Sequence, residues 1–447
     1  MGSLFGTDGI RGSANVELTP ELALALGRAL VGLLRSSDAT KRPSVVIGRD
    51  PRWSGEMLES ALVAGITSAG GDARTVGVLP TAAVAFLTAG SSAAAGAMLS
   101  ASHNPVGDNG IKFFGPDGFK LSDEDEASLE AMVEQVDARP RGIEIGRRLN
   151  DPSAVARYIG HLTSIPEADL TGLRIVVDGA NGAASSVAPQ VYRQLGADVV
   201  AIHCSPDGAN INDGCGSTYP EVIQAAVVEH GADVGISHDG DADRLIAATS
   251  DGELVDGDVI LAILARHLHA TGGLKSDAVA TTVMTNLGFR RAMAGLGIEV
   301  VETPVGDRYV LQAMRDRDLN LGGEQSGHVI DLDRATTGDG ILTAVRLMSI
   351  VAATGTPLAE LATVMTRLPQ TLVNVSGVDR QGLEGSDPVW AVVRDEEAAL
   401  GDDGRVLLRP SGTEPIVRVM VEAPTQQQAD EVAERIAHAV REHLATS

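Results

Sequence analysis

The 447-residue chain reads as an α/β protein of several domains. Three observations predict this. A strand–helix–strand order of elements recurs three times. The strand-like runs are short and rich in Val and Ile. A C-terminal stretch then departs from that order. At about 100–200 residues per domain, the length holds three or four domains. Short apolar strands alternating with helices predict largely parallel sheets, with ligand groups gathered in loops beyond the strands' carboxyl ends.

The first stretch runs from Val45-Val46-Ile47 through the turn Gly48-Arg49-Asp50-Pro51 into a helix over about 54–69. Strands follow at Thr75–Val78 and Ala97–Leu99. The second has a strand at Arg174–Val177, a helix over about 185–195, and strands at Asp198–Ile202 and Asp233–Ile236. The third has a strand over 278–284, a helix from about Gly288, a strand at Ile298–Val301 and a loop at Gly322-Gly323-Glu324. Spacing between the stretches is not constant, which argues against a solenoid. The C-terminal stretch alternates at Thr371–Val378, forms a hairpin from Arg405–Leu408 and Ile416–Val421, and closes with an amphipathic helix over 426–444. This predicts a smaller α+β domain. The boundaries expected are 1–153, 154–255, 256–368 and 369–447.

Composition narrows the function. The charge sum of 35 basic and 60 acidic residues is −25, which argues against nucleic acid and anionic membranes as partners. An anionic ligand would need cations concentrated in a cleft. Only two cysteines occur, Cys204 and Cys215, with no Cys-x-x-Cys, and the amino terminus lacks a signal-peptide pattern. A reducing, cytoplasmic setting is expected. No apolar run reads as a transmembrane helix. Aromatics are only 3%, so the cores are expected to be aliphatic, and 51 glycines imply many tight turns.

Four loops carry candidate chemistry. Ser100-Ala101-Ser102-His103-Asn104-Pro105 offers Ser102 as nucleophile beside His103. It lacks the glycines of a hydrolase elbow. Lys112, downstream, can reach back to the same loop. In His238–Arg244, Asp239, Asp241 and Asp243 converge only if the segment is a loop. Two like charges about 4 Å apart cost roughly 4 kcal/mol at an effective dielectric near 20. A divalent cation removes that cost, and hard carboxylate oxygens suit Mg²⁺, with Ca²⁺ or Mn²⁺ as alternatives. An EF-hand fails, because Arg244 and Ser250 stand where Gly and Glu are required. Arg244 beside the cation suits a phosphate. Gly323–His328 sets Glu324, Gln325, Ser326 and His328 between glycines, equipment for sugar hydroxyls. In Arg409–Pro415, the N–H groups around Ser411-Gly412-Thr413 can form an anion nest, with Arg409 offering a fork. Gly6–Gly12 adds Arg11 in a glycine-rich loop. Each loop alone also reads as an ordinary polar turn. Together they make nucleophile, metal cage, hydroxyl reader and phosphate clamp.

Phe5–Gly12, Ser100–Pro105, Asp108–Phe114, Asp239–Arg244, Gly323–His328 and Arg409–Pro415, in this order over the whole length, resemble the α-D-phosphohexomutase superfamily. The resemblance implies four domains around a central cleft, the first three sharing one α/β fold. It implies that Ser102 is a phosphoserine, and that Asp239, Asp241 and Asp243 hold one Mg²⁺ with the Ser102 phosphate. Glu324, Ser326 and His328 would read the sugar, and Arg409, Ser411, Gly412 and Thr413 would grip the non-reacting phosphate. Arg11, His103, Lys112 and Arg244 would surround the transferring group, with Lys112 or His328 as general base. Gln325 and Val305–Tyr309 favour the glucosamine branch, which feeds UDP-N-acetylglucosamine and cell-wall precursors. A hexose 1,6-bisphosphate would prime the enzyme. The resemblance is compatible with a homodimer. Alternatives are phosphomannomutase or phosphoglucomutase activity, a metal-dependent phosphatase, or a sugar-phosphate-binding regulator.

Overall fold

The computed structural model describes residues 4–6, 8–37, 42–134, 139–165, 169–411 and 416–445. The chain forms two compact units. One contains Met1–Met284 and Gly297–Val364, the other Thr285–Leu296 and Met365–Ser447.

The first unit holds three sheets. In the six-stranded sheet, Ser44–Arg49 lies between Asp72–Val78 and Ala95–Leu99, parallel to both. Asp108–Phe114 and Ile10–Ser13 extend one side antiparallel, and Arg148–Asn150 closes the other in parallel. In the five-stranded sheet, Arg174–Asp178 is central, parallel to Asp198–Ile202 and Val234–Ser237. Ile246–Thr249 and Leu254–Val255 add an antiparallel edge. In the third sheet, Ala278–Thr282 is parallel to Glu299–Thr303 and Leu321–Gly323, with Val329–Asp331 antiparallel at the edge. Each sheet is thus parallel through its middle and out to one edge, the pairing that strand–helix–strand crossovers produce. The opposite edge of each sheet is antiparallel.

Most strands and helices lie within a few residues of where their sequence patterns place them. Trp53–Ser68 and Ala184–Gln194 are the helices expected after the first strands of the first two stretches. Thr81–Ala89 is a helix that periodicity does not reveal. Its sequence, TAAVAFLTA, is apolar almost all round and nearly every residue is buried, so no polar face marks its period. Aliphatic packing holds the first sheet: Val45, Ile47, Leu58, Leu62, Leu99 and Ile111 share one core. Helices Pro20–Ser37 and Trp53–Ser68 approach so closely that a Cβ at Gly65 would lie 2.1 Å from the Leu24 carbonyl oxygen. Glycine alone fits there.

The second unit is an antiparallel sheet in the order Gln370–Ser376, Ile416–Glu422, Arg405–Pro410. Helices Asp387–Leu400 and Gln426–Leu444 pack on it through Val389, Val393, Val432 and Ile436. Helix Leu287–Leu296 belongs to this unit, and the Leu287 N–H donates to Glu422 Oε2 at 2.9 Å. Among the described residues, no single helix is long and apolar enough to cross a membrane.

Candidate functional site

The site is assembled in the first unit from loops at the carboxyl ends of parallel strands, as the strand order predicts. Its base is a buried ion pair. Asp50 follows strand Ser44–Arg49, and Arg52 Nε donates to its Oδ2 at 2.9 Å, with both side chains inaccessible to solvent. From there Arg52 donates to four backbone carbonyls of the next loop: Ser102 at 3.0 Å, Asn104 at 2.8 Å, Asp108 at 3.1 Å, and Pro105. Asn212 Nδ2 adds donors to Ser102 and Asn104 at 2.9 and 3.1 Å. Asp50 also accepts from Ser100 Oγ at 2.6 Å, and Ser100 Oγ accepts from the Ser102 N–H at 2.9 Å. Held this way, Ser102 sits at φ +51°, a left-handed conformation that a non-glycine residue keeps only where its surroundings fix it.

The Ser102 hydroxyl is buried and donates to Asp239 Oδ2 at 2.5 Å; His103 Nδ1 lies 3.2 Å away. Asp239, Asp241 and Asp243 are all buried, with one oxygen from each lying within 4.8 Å of the others. Two features bring them together. Ala242 adopts φ +58° and turns the chain between Asp241 and Asp243. A Cβ at Gly240 would come 2.5 Å from the Ser102 carbonyl oxygen, so glycine lets the two loops meet. His238 clamps the segment from below: its Nδ1 pairs with the Arg244 carbonyl at 3.0 Å and its Nε2 with Tyr192 Oη at 2.9 Å.

The cage fits a hard divalent cation. Asp241 Oδ1 and Asp243 Oδ1 are buried without a hydrogen-bond partner, and buried carboxylate oxygens are rarely left so. Burial, then Asp243 and Asp241, push the Asp239 carboxyl well above the usual range. Burial opposes ionisation of Asp243 as well, but Lys112, His328 and Arg244 hold it far below that range. A cation joining the three would offset the charge repulsion that raises Asp239.

Lys112, from strand Asp108–Phe114, reaches Asp8 at 2.9 Å, Asp241 at 3.2 Å and Asp243 at 3.6 Å. Burial lowers its pKa, but Asp241, Asp8 and Asp243 more than reverse this and hold the ammonium charged. Thr81 Oγ1 donates to Asp241 Oδ2 at 2.6 Å. Arg11 pairs with Asp8, and Lys120 bridges Asp8 to Asp307. His328 lies between Asp243 and Asp307, 3.6 Å from each. Burial lowers its pKa, while Asp243 and Asp307 raise it to a net upward shift. Burial, then Arg244 and Arg11, push His103 down to about 4. Arg244 Nε stands 3.8 Å from Asp243. Glu324 accepts from the Gly306 N–H at 3.2 Å, with its carboxyl raised by burial, and Ser326 is exposed at the loop tip.

Ser102, His103, Lys112, the three aspartates, Arg11, Arg244 and His328 therefore share one linked set of contacts, and Glu324 approaches it through Gly306. Sequence reasoning passed over Arg52, Thr81, Lys120 and Asn212, and placed Asp307 only within Val305–Tyr309 as a mark of the sugar branch. Of the first four, only Arg52 had a local signal, an arginine two residues after the Asp50 turn.

In the second unit, Arg409 and Arg418 stand directly opposite on neighbouring strands. Burial and the Arg418 charge both lower the Arg409 pKa. Like charges in register repel, and an anion relieves that repulsion. Arg380 Nη1 donates to the Ser411 carbonyl at 2.8 Å. Gly412 and Thr413 lie outside the described residues.

Comparison with known proteins agrees with this architecture. Residues 2–140, 156–252 and 256–368 match α/β/α domains I, II and III of phosphoglucomutase/phosphomannomutase, and 372–439 match its C-terminal domain. A curated phosphoglucosamine mutase from Salinispora tropica is 56% identical over 445 residues, covering 99% of both chains. A phosphoglucomutase/phosphomannomutase family protein from Burkholderia thailandensis superposes with a TM-score of 0.84 at 25% identity, over 99% of this chain and 97% of that one. An Aspergillus fumigatus N-acetylphosphoglucosamine mutase, solved with GlcNAc-6P and magnesium, has a TM-score of 0.71 at 20% identity, over 99% and 96% of the two chains. With all four domains matched and a relative more than half identical along its whole length, the chain belongs to the phosphoglucomutase/phosphomannomutase family of phosphohexomutases, on the branch whose curated members are phosphoglucosamine mutases.

Proposed function

We propose that the chain interconverts glucosamine 6-phosphate and glucosamine 1-phosphate through phospho-Ser102 and a glucosamine 1,6-bisphosphate. The observation that carries this is the Ser102 hydroxyl, 2.5 Å from Asp239 beside a cage in which two buried carboxylate oxygens accept no hydrogen bond. The sugar follows from relatives named phosphoglucosamine mutase at 54–56% identity. The four domains, 1–153, 154–255, 256–368 and 369–447, would supply one loop each. The reducing setting suggested by two free cysteines supports a cytoplasmic enzyme.

Phosphoryl transfer needs positioning and charge neutralisation more than covalent help from the protein. Asp239, Asp241 and Asp243, with an oxygen on Ser102, would hold Mg²⁺, which when bound neutralises charge on the transferring group. Arg52 and Asn212 fix the backbone of Ser102, so the phosphorus stays in line with the incoming hydroxyl. Lys112, Arg11 and Arg244 supply positive charge to phosphoryl oxygens. As the sugar 1-hydroxyl oxygen bonds to phosphorus, the bond from phosphorus to Ser102 Oγ breaks. The hydroxyl proton leaves to a base. The candidates for that base are Lys112 and His328, and neighbouring carboxylates raise the pKa of each. Glu324 and Ser326 bond sugar hydroxyls, and Arg409, Ser411, Gly412 and Thr413 hold the phosphate that is not transferred. The bisphosphate then reverses and returns its 6-phosphate to Ser102. A hexose 1,6-bisphosphate primes the dephospho form.

The test combines a mutase assay across glucosamine, glucose and mannose phosphates with phosphopeptide mapping. A preference for glucosamine phosphates with phosphate on Ser102 is expected. Full activity in Ser102→Ala would refute the covalent step, and a preference for mannose or glucose phosphates would refute the sugar assignment.

A further inference from the structure

Asp178 ends strand Arg174–Asp178, in register with Ile202 of the neighbouring parallel strand, and His203 follows Ile202 directly. A third segment, 212–217, folds against both strand ends. Asn212 N–H donates to the Ala180 carbonyl at 3.0 Å, and Gly216 N–H donates to Asp178 Oδ2 at 3.0 Å. Cys215 is thereby buried beside the pair. His203 Nδ1 is 3.1 Å from Asp178 Oδ2, and the donor atoms of Asp178, His203 and Cys215 all lie within 4.8 Å of one another.

We propose that Asp178, His203 and Cys215 form a second metal site, selective for a zinc-type divalent cation and distinct from the aspartate cage. Zinc bonds of about 2.0–2.3 Å in a tetrahedron place ligand atoms roughly 3.3–3.8 Å apart. The His203–Asp178 pair, at 3.1 Å, would widen slightly to reach this, and the other separations, all within 4.8 Å, would close toward it. Thiolate, imidazole and carboxylate together select zinc or cobalt, whereas the three aspartates of the cage suit magnesium. The carboxylate is pre-oriented: Ala180 N–H donates to Asp178 Oδ1 at 2.8 Å, complementing the bond from Gly216. Such outer contacts are what fix a ligand at a metal centre. His203 holds φ +46°, and its carbonyl accepts from Asn181 N–H at 2.7 Å. The ion would stiffen the segment that carries Asn212, whose amide holds the Ser102 carbonyl at 2.9 Å. Occupancy at one metal site is thereby linked to the backbone of the other.

The test uses the full chain, stripped by chelator, refilled with excess Mg²⁺ and titrated with Co²⁺. A near-ultraviolet thiolate-to-cobalt band is expected, which an all-oxygen cage cannot give. Cys215→Ser and His203→Ala should each remove the band and weaken Co²⁺ binding at least about tenfold. Both should retain mutase activity with Mg²⁺ alone, and Asp241→Asn should keep the band. His203 is partly exposed, so its variant reports even if Cys215→Ser does not fold. No band, a band unchanged by both substitutions, or a band lost only in Cys204→Ser would overturn the proposal.

Discussion

Arg52 donates through Nη2 to the Ser102 carbonyl oxygen at 3.0 Å while its Nε is held by Asp50 at 2.9 Å. A guanidinium inaccessible to solvent thus replaces a helix or strand as the support for the Ser102 loop. Removing it leaves Asp50 buried without its partner and strips a donor from each of four carbonyls. Breaking one side of a buried pair typically costs about 3–5 kcal/mol. Arg52→Ala is expected to lower the unfolding temperature and to cut kcat further, because Ser102 loses its orientation. Arg52→Lys should recover part of the stability but little of kcat, since an ammonium cannot span the carbonyls that the fork reaches. Thermal unfolding and steady-state kinetics on both variants check this. Wild-type kcat in Arg52→Lys would show that charge alone suffices.

Removing the divalent ion should have two separable effects. Asp239 would take up a proton, because burial and its aspartate neighbours raise its pKa. The cage would also lose the cation that draws its carboxylates together. Chelation is expected to reduce turnover roughly a thousandfold, matching a loss of several kcal/mol of charge stabilisation. Mg²⁺ should raise the unfolding temperature in a concentration-dependent way. Asp243→Asn should lose both responses. Turnover that survives chelation would exclude the cage from the chemistry.

How much of this was legible in the sequence depended on range. Strand Asp198–Ile202 and helix Gln426–Leu444 coincide with their patterns because apolar periodicity is local. The three aspartates were legible because their crowding over five residues has an electrostatic cost that can be read without coordinates. Thr81 and Asp241 are 160 residues apart, and Lys120 and Asp307 are 187 apart. No spacing rule reaches that far, and neither Thr81 nor Lys120 lies in a motif that marks it. Thr81–Ala89 was missed because a helix buried on most sides has no polar face.

Cys204 gives a pH prediction whose sign follows from burial. The thiol is pushed up to about 11, first by desolvation and then by the Asp178 carboxylate. Both disfavour the thiolate, so at pH 8 only about one molecule in a thousand carries it. Alkylation of metal-free protein should be roughly a hundredfold slower than that of an ordinary exposed cysteine. Its rate should rise about tenfold per pH unit from 8 to 10, without a plateau. Stopped reactions read by intact mass check this. A plateau near pH 9 would mean that the thiol ionises as it does in water.

Arg409 tests the phosphate grip in the second unit. It faces Arg418 across paired strands, and an anion beside them would offset their mutual repulsion. A charge-assisted hydrogen bond contributes about 1.5–3 kcal/mol, so Arg409→Ala should lower kcat/KM by roughly 10–100-fold. Arg409→Lys should fall between, because it keeps charge but loses the bidentate fork. Phosphorylation of Ser102 by a hexose 1,6-bisphosphate should still go to completion in both variants, read as an added phosphate in the intact mass. That separation matters: a fall in kcat/KM with full Ser102 phosphorylation assigns Arg409 to holding the sugar phosphate. Loss of Ser102 phosphorylation would instead make Arg409 part of the transfer step, and unchanged kinetics would remove it from the site.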